Sequence, residues 1–162
     1  VTIPPKKPGL RRFGTFLELL GAALIVGGIV TSAIAGVLAF RSTEILSHEQ
    51  AGLFMAKVFE RVFDLEIVGA ILVALGIPFW RRPRGVANWA FLLVALAIFG
   101  QDRIARRMRV LRADAGGAID RIAEDDPRRQ EFRRLHGAYE GVSLAALAGG
   151  LLVLGANARK VA

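Results

Sequence analysis

Residues 132–154 read F-R-R-L-H-G-A-Y-E-G-V-S-L-A-A-L-A-G-G-L-L-V-L. A basic segment passes directly into an apolar run, and His136 and Glu140 sit at the joint, one helical turn apart. The run from Ala138 to Asn157 is long enough to cross a bilayer as a helix, which needs about 20 apolar residues. Three further apolar runs lie upstream, so the reading that starts here extends to the whole chain. The expectation is an all-α integral membrane protein: a four-helix antiparallel bundle with a protruding amphipathic helical hairpin between spans 3 and 4.

The composition agrees. The 162 residues are 54% hydrophobic, with a formal net charge of +8. They suffice for a single domain over residues 1–162, with no Pro/Ser-rich linker dividing it. Lys and Arg cluster between the apolar runs and lack the interleaved aromatic residues on which bases stack. The partners this implies are the bilayer and its anionic headgroups, with no nucleic acid. With no cysteine, thiolate metal sites and Cys nucleophiles are excluded. The chain opens on Val1 with K-K-P-G-L-R-R before the first apolar run. That run is too long for a signal-peptide core and is read as a span.

Taken in order, residues 1–12 read as an extended basic tail. The first span covers 13–40, with small residues in fourfold spacing at Gly28, Ser32 and Gly36 and a neighbouring stripe at Ala23, Gly27 and Thr31. Such stripes let helix backbones approach closely in lipid, so this helix is expected to pack on at least two sides. A second helix starts at His48 or Glu49, with Met55, Phe59 and Val62 on one face and Lys57, Glu60, Arg61 and Asp64 on another. It continues into a span over 62–80. The R-R-P-R turn at 81–84, bracketed by Trp80 and Trp89, leads into a third span over 85–103.

That third helix is expected to leave the membrane without stopping. Ile104, Met108, Leu111, Ala115, Ala118 and Ile122 form a coiled-coil-like seam, and Arg103, Arg106, Arg107, Arg109 and Arg112 crowd the other faces. Gly116-Gly117 is a candidate break, and Asp126-Pro127 a helix start. The returning helix presents Phe132, Leu135 and Tyr139 to the seam, completing a hairpin over 101–136. It then spans 138–157, with Gly141, Ala145 and Gly149 as its packing stripe and Arg159 and Lys160 closing it. Arginine density favours a cytoplasmic hairpin, whereas the basic N-terminal tail favours a cytoplasmic N-terminus. The expected location is a bacterial inner membrane, crossed several times.

An antiparallel bundle collects ionisable residues at one end: His136, Glu140, Glu66, Asp102, Arg106 and Arg134 form the candidate polar cluster. His48 lies at the same end, whereas Glu18 is placed near the opposite surface beside Trp80 and Arg81. Ionisable groups at the hydrocarbon edge invite a functional reading. One reading makes His136 an axial ligand to haem or another tetrapyrrole, or pairs it with Glu140 on a metal or as a proton relay. The other makes the cluster a set of structural ion pairs in headgroups, with no cofactor. No zinc-protease, nucleophile-elbow, P-loop or dinucleotide motif occurs, and no enzyme activity is expected.

The stretches A-F-R-S…A-G-L-F-M-A-K-V-F-E-R-V-F-D-L-E and D-D-P-R-R-Q-E-F-R-R-L-H-G resemble the two blocks of the bacterial membrane family called domain of unknown function 4149. Its animal relatives are known as transmembrane protein 205. The resemblance implies four membrane helices and no established activity. After His136-Gly137 the family carries a serine and then an asparagine where this chain has Tyr139 and Ser143. Three functions are expected to compete. The first is a non-catalytic accessory or scaffolding subunit among other membrane subunits. The others are a cofactor protein using His136, and a small transporter or lipid-handling protein using Glu66, Asp102 and Glu140.

Overall fold

The computed structural model describes residues 8–42, 44–79, 85–117 and 119–158. It contains four long helices: α1 (Pro8–Arg41), α2 (His48–Gly76), α3 (Gly85–Asp114) and α4 (Pro127–Ala158). Two short 3-10 turns, Ile77–Phe79 and Ile119–Arg121, complete the secondary structure, and no strand occurs among the described residues. The parts of the chain named above at residues 1–7 of the basic tail, Trp80, Arg81–Arg84, Ala118, Arg159 and Lys160 lie outside the described residues.

Each helix is bounded by the chemistry its sequence supplies. Ser47 opens α2 through a capping box, its Oγ accepting from the Gln50 N–H at 3.2 Å while Gln50 Oε1 accepts from the Ser47 N–H at 2.9 Å. Asp126 opens α4, accepting from the Arg128 N–H at 2.8 Å with Pro127 at the first helical position. Hydrogen bonds from Arg128 also push the Asp126 carboxyl down to about 2. At the end of α3, Gly117 N–H reaches Arg112 O at 2.8 Å and Gly116 N–H reaches Ala113 O at 3.0 Å. This is a Schellman cap, and it requires the left-handed φ of 71° found at Gly116. The expected break at Gly116-Gly117 is therefore present, and the seam ends with α3. The N-terminal boundary differs from expectation: α1 is already helical from Pro8, because proline suits a first helical turn and Arg11 and Arg12 favour helix.

α1 and α2 meet in steps of seven or eight residues. A Cβ on Gly76 would stand 2.7 Å from Gly14 O, one on Gly69 2.6 Å from Gly21 O, one on Gly28 3.3 Å from Val62 Cγ1, and one on Gly36 3.5 Å from Met55 Cε. Positions ascend on α1 as they descend on α2, so the pair is antiparallel and its backbones touch. Gly28, Ser32 and Gly36 thus lie on the α2-facing side, and Ser32 is buried. The neighbouring stripe does not pack: Ala23, Gly27 and Thr31 are exposed, and α1 meets α4 through Ala22, Ile25 and Ile29 instead.

α4 packs through adjacent glycines. A Cβ on Gly149 would meet Val94 Cγ2 of α3 at 2.6 Å, and one on Gly150 would meet Val26 Cγ2 of α1 at 2.9 Å. The expected stripe is corrected at Gly141, which is exposed with nothing within 4 Å of a Cβ. Fourfold steps rotate slowly around a helix, so a stripe centred on Gly149 has turned away two steps earlier. The buried positions are Ala146, Gly149, Gly150, Val153 and Asn157, with Ala145 packed at the edge of the core.

The outer surface is apolar. Val30, Ile34, Leu38, Ile71, Leu75, Leu96, Phe99, Leu144 and Leu151 are all exposed. Three helices are long and apolar enough to cross a membrane among the described residues: α1, α2 with its 3-10 extension, and α4. In the apolar window of each, only 22–28% of the residues are buried, so the apolar majority faces outward, as lipid contact demands. α3 is not among these three; its apolar portion is flanked by Asn88 on one side and by Gln101, Asp102 and Arg103 on the other.

The α3–α4 hairpin closes through Leu111, buried at the seam, and through Arg107, whose Nε and Nη2 donate to the two Glu131 oxygens at 2.7 and 2.9 Å. Its tip rests on α2: Arg121 Nη2 donates to both Glu49 oxygens, at 3.0 and 2.8 Å. Gly69→Ala forces α1 and α2 apart and is expected to destabilise the protein by about 1–3 kcal/mol. Gly27→Ala, with open space beyond its Cα, should be neutral or stabilising by up to about 1 kcal/mol. Unfolding of both variants in mixed detergent micelles checks the pair.

Candidate functional site

Among the described residues, four polar side chains from the helices are buried to 2% exposure or less, and they form two layers. In the first, Asn157 of α4, fully buried, donates from Nδ2 to Glu18 Oε2 of α1 at 2.8 Å and to Val153 O at 3.0 Å. Gly76 of α2 makes the room: a Cβ there would stand 2.6 Å from Glu18 Cγ. Glu18 is 2% exposed and lies on the inward side of α1, one turn from Gly14 and Gly21; Trp80 and Arg81, beside which the sequence places it, lie outside the described residues.

The second layer joins α2, α3 and α4. Glu66 of α2 is 1% exposed and Gln101 of α3 is 0% exposed. Gln101 Nε2 donates to Ser143 Oγ of α4 at 2.9 Å, and the Ser143 hydroxyl donates back along α4 to Tyr139 O at 2.9 Å. The Tyr139 ring stands edge-on to Phe59 of α2, with centroids 5.8 Å apart. The Gln101 carboxamide and the Tyr139 phenol are the polar neighbours of the Glu66 carboxyl. Two oxygens, Glu66 Oε2 and Gln101 Oε1, have no hydrogen-bond partner among the described residues. An unmatched buried polar atom costs about 1–3 kcal/mol, and a buried unpaired ion several kcal/mol more. The two unmatched oxygens are both acceptors, and each demands a donor or a cation.

The candidate cluster is divided between inside and outside. Glu66 is in the core. Asp102 turns away from it and accepts from Arg106 Nε at 2.8 Å on the surface of α3. His136 and Glu140 face outward on α4, with His136 Nε2 3.4 Å from Glu140 Oε1 and the His136 ring stacked against Phe132. The His136 side chain is 47% exposed, and Arg134 is exposed beside it. Among the described residues no three His, Cys, Asp or Glu side chains converge on a metal position. His48 borders a shallow cavity of about 230 Å³ between the start of α2 and the hairpin tip, walled also by Glu49, Arg112 and Arg121.

Gln101 and Asn157 escaped the sequence reading because neither is ionisable. Their signal was available as isolated amides at the edges of apolar runs, where a polar side chain in lipid needs a partner helix. Replacing Asn157 by Leu removes a buried donor to Glu18 and is expected to cost about 1–3 kcal/mol. Arg106→Ala, at an exposed pair, should leave stability nearly unchanged. Melting temperatures of the two variants in one detergent provide the comparison.

A family described as "Domain of unknown function (DUF4149)" matches residues 20–101, from α1 through α2 to the buried Gln101 of α3. No curated protein and no solved structure matches the chain. The match takes in half of the sequence and contains the α1–α2 contact and two of the inner-layer residues, Glu66 and Gln101. The chain belongs to the DUF4149 family.

Proposed function

We propose that α3 supplies a fourth crossing, that the four spans alternate in direction with the α3–α4 hairpin on the cytoplasmic side of a bacterial inner membrane, and that the protein is a non-catalytic accessory subunit of a larger membrane assembly. One observation carries the assembly role. The Glu49–Arg121 and Phe59–Tyr139 contacts place the first half of α2 level with the hairpin. At that level α1 exposes Ile34, Val37 and Leu38 with no charged residue before Arg41, and α2 exposes Leu53 and Phe54 beside the charged face of Lys57, Glu60 and Arg61, whereas α3 and α4 expose Arg103, Arg106, Arg109, Arg133 and Arg134. A flat boundary between hydrocarbon and headgroups cannot suit both sides at one depth. A second membrane subunit with an apolar helix laid on the α1–α2 side resolves the conflict and leaves the arginines to anionic headgroups.

The cofactor reading, with haem or another tetrapyrrole on His136, gains only from that residue's exposure, and its Glu140 partner supports an ion pair equally well. The transporter reading gains from Glu66 alone, since Asp102 and Glu140 turn to the surface.

A photo-reactive residue placed at Ile34 or Leu38 in intact membranes should give a discrete protein adduct, and one at Leu144 should give lipid adducts only. Lipid adducts at all three positions, together with a monomer in mild detergent, would contradict the assembly role.

A further inference from the structure

The seam between α2 and α3 is the thinnest contact between neighbouring helices of the bundle, and Glu66 meets Gln101 there. On either side the packing is close: α2 lies backbone-to-backbone on α1, and α3 lies on α4 through Gly149. The polar pair is a specific link across this seam, beside the apolar cluster that holds Val73 of α2 and Ala90 of α3.

The groups facing Glu66 can be taken element by element. α1 carries no titratable residue between Glu18 and Arg41. α3 contributes the Gln101 carboxamide, while Asp102, the next residue, is occupied by Arg106. α4 contributes the Tyr139 phenol and the Ser143 hydroxyl, while His136 and Glu140 pair with each other outside. On α2 itself Arg61 and Asp64 are exposed and pair with each other at 3.5 Å. No described cation faces the carboxyl. Turning the Gln101 carboxamide end for end exchanges its donor and acceptor but adds no positive charge.

We propose that Glu66 and Gln101 form a proton-binding site inside the bundle, in which the Glu66 carboxyl holds a proton and donates it to Gln101 Oε1. One O–H bond then satisfies both orphaned oxygens, because the oxygen carrying the proton becomes the donor that Gln101 Oε1 lacks. The carboxyl becomes neutral, as an acid buried without a counter-ion must. The bound proton is also what fastens α2 to α3. Removing it leaves a bare carboxylate with no described counter-ion at the thinnest seam, so deprotonation is expected to open that seam to water. The site is independent of the assembly role, and failure of either leaves the other standing.

Infrared difference spectroscopy of the full chain in lipid, with glutamate carboxyl groups labelled with carbon-13, tests the site directly. The expected result at neutral pH is a protonated-carboxyl band that moves with the label and disappears in Glu66→Gln. That variant should melt at the wild-type temperature, because a carboxamide can donate to Gln101 in place of the acid. Should Glu66→Gln fail to fold, Gln101→Leu reads the same band, which should shift on losing its acceptor. A band absent in the wild type, or untouched by both substitutions, overturns the proposal. So does a melting temperature that rises with sodium at fixed pH, since the occupant would then be a metal cation.

Discussion

Contact between the backbones of α1 and α2 is the constraint from which the rest of the architecture follows. In lipid, leaving one apolar neighbour for another gains little, so helices associate where they can come unusually close and multiply short-range dispersion contacts. Gly14, Gly21 and Gly28 on one helix and Gly69 and Gly76 on the other provide that closeness along one line. A hairpin locked in this way fixes which sides of α1 and α2 remain for α4 and α3. Gly149 and Gly150 repeat the device on α4, which presses against α3 with one glycine and α1 with the next.

Close approach also decides where polarity can be stored. Gly76 vacates the space that Glu18 fills, and the register that seats Gly69 on Gly21 brings Glu66 to the α2–α3 seam. The protein is therefore polar at selected points inside and apolar outside, the reverse of a water-soluble bundle. Surface charge is handled differently: Asp102–Arg106, Arg107–Glu131, Arg121–Glu49 and Arg128–Asp126 pair within reach of solvent. Such pairs fix hairpin geometry at modest energetic gain, whereas the inner layers specify which helix lies beside which.

Much of this was legible in the sequence because lipid leaves so few choices. Apolar run length located the helices, the Asp126 cap followed from residue type, and the amphipathic face of Met55, Phe59 and Val62 packs inward as its spacing requires. What could not be read was which of several small-residue stripes would be used. Gly28, Ser32 and Gly36 face a partner, but Ala23, Gly27 and Thr31 do not, and Gly141 looks outward. A stripe permits contact without specifying it, and the selection depends on the stripe the partner offers. Likewise, counting ionisable residues grouped His136 and Glu140 with Glu66 at one end of the bundle. Rotation about the helix axis, which proximity in sequence does not reveal, puts the first two outside and the third inside.

The register of α1 against α2 in a native membrane tests the account most directly, and the absence of cysteine makes the experiment clean. Cysteines introduced together at Gly28 and Val62 should form a disulfide rapidly on mild oxidation, because a Cβ at 28 stands 3.3 Å from the Val62 side chain. A cysteine at Gly27 with the same partner should stay reduced. Equal cross-linking of both pairs, or of the Gly27 pair alone, would contradict the packing from which everything else is derived.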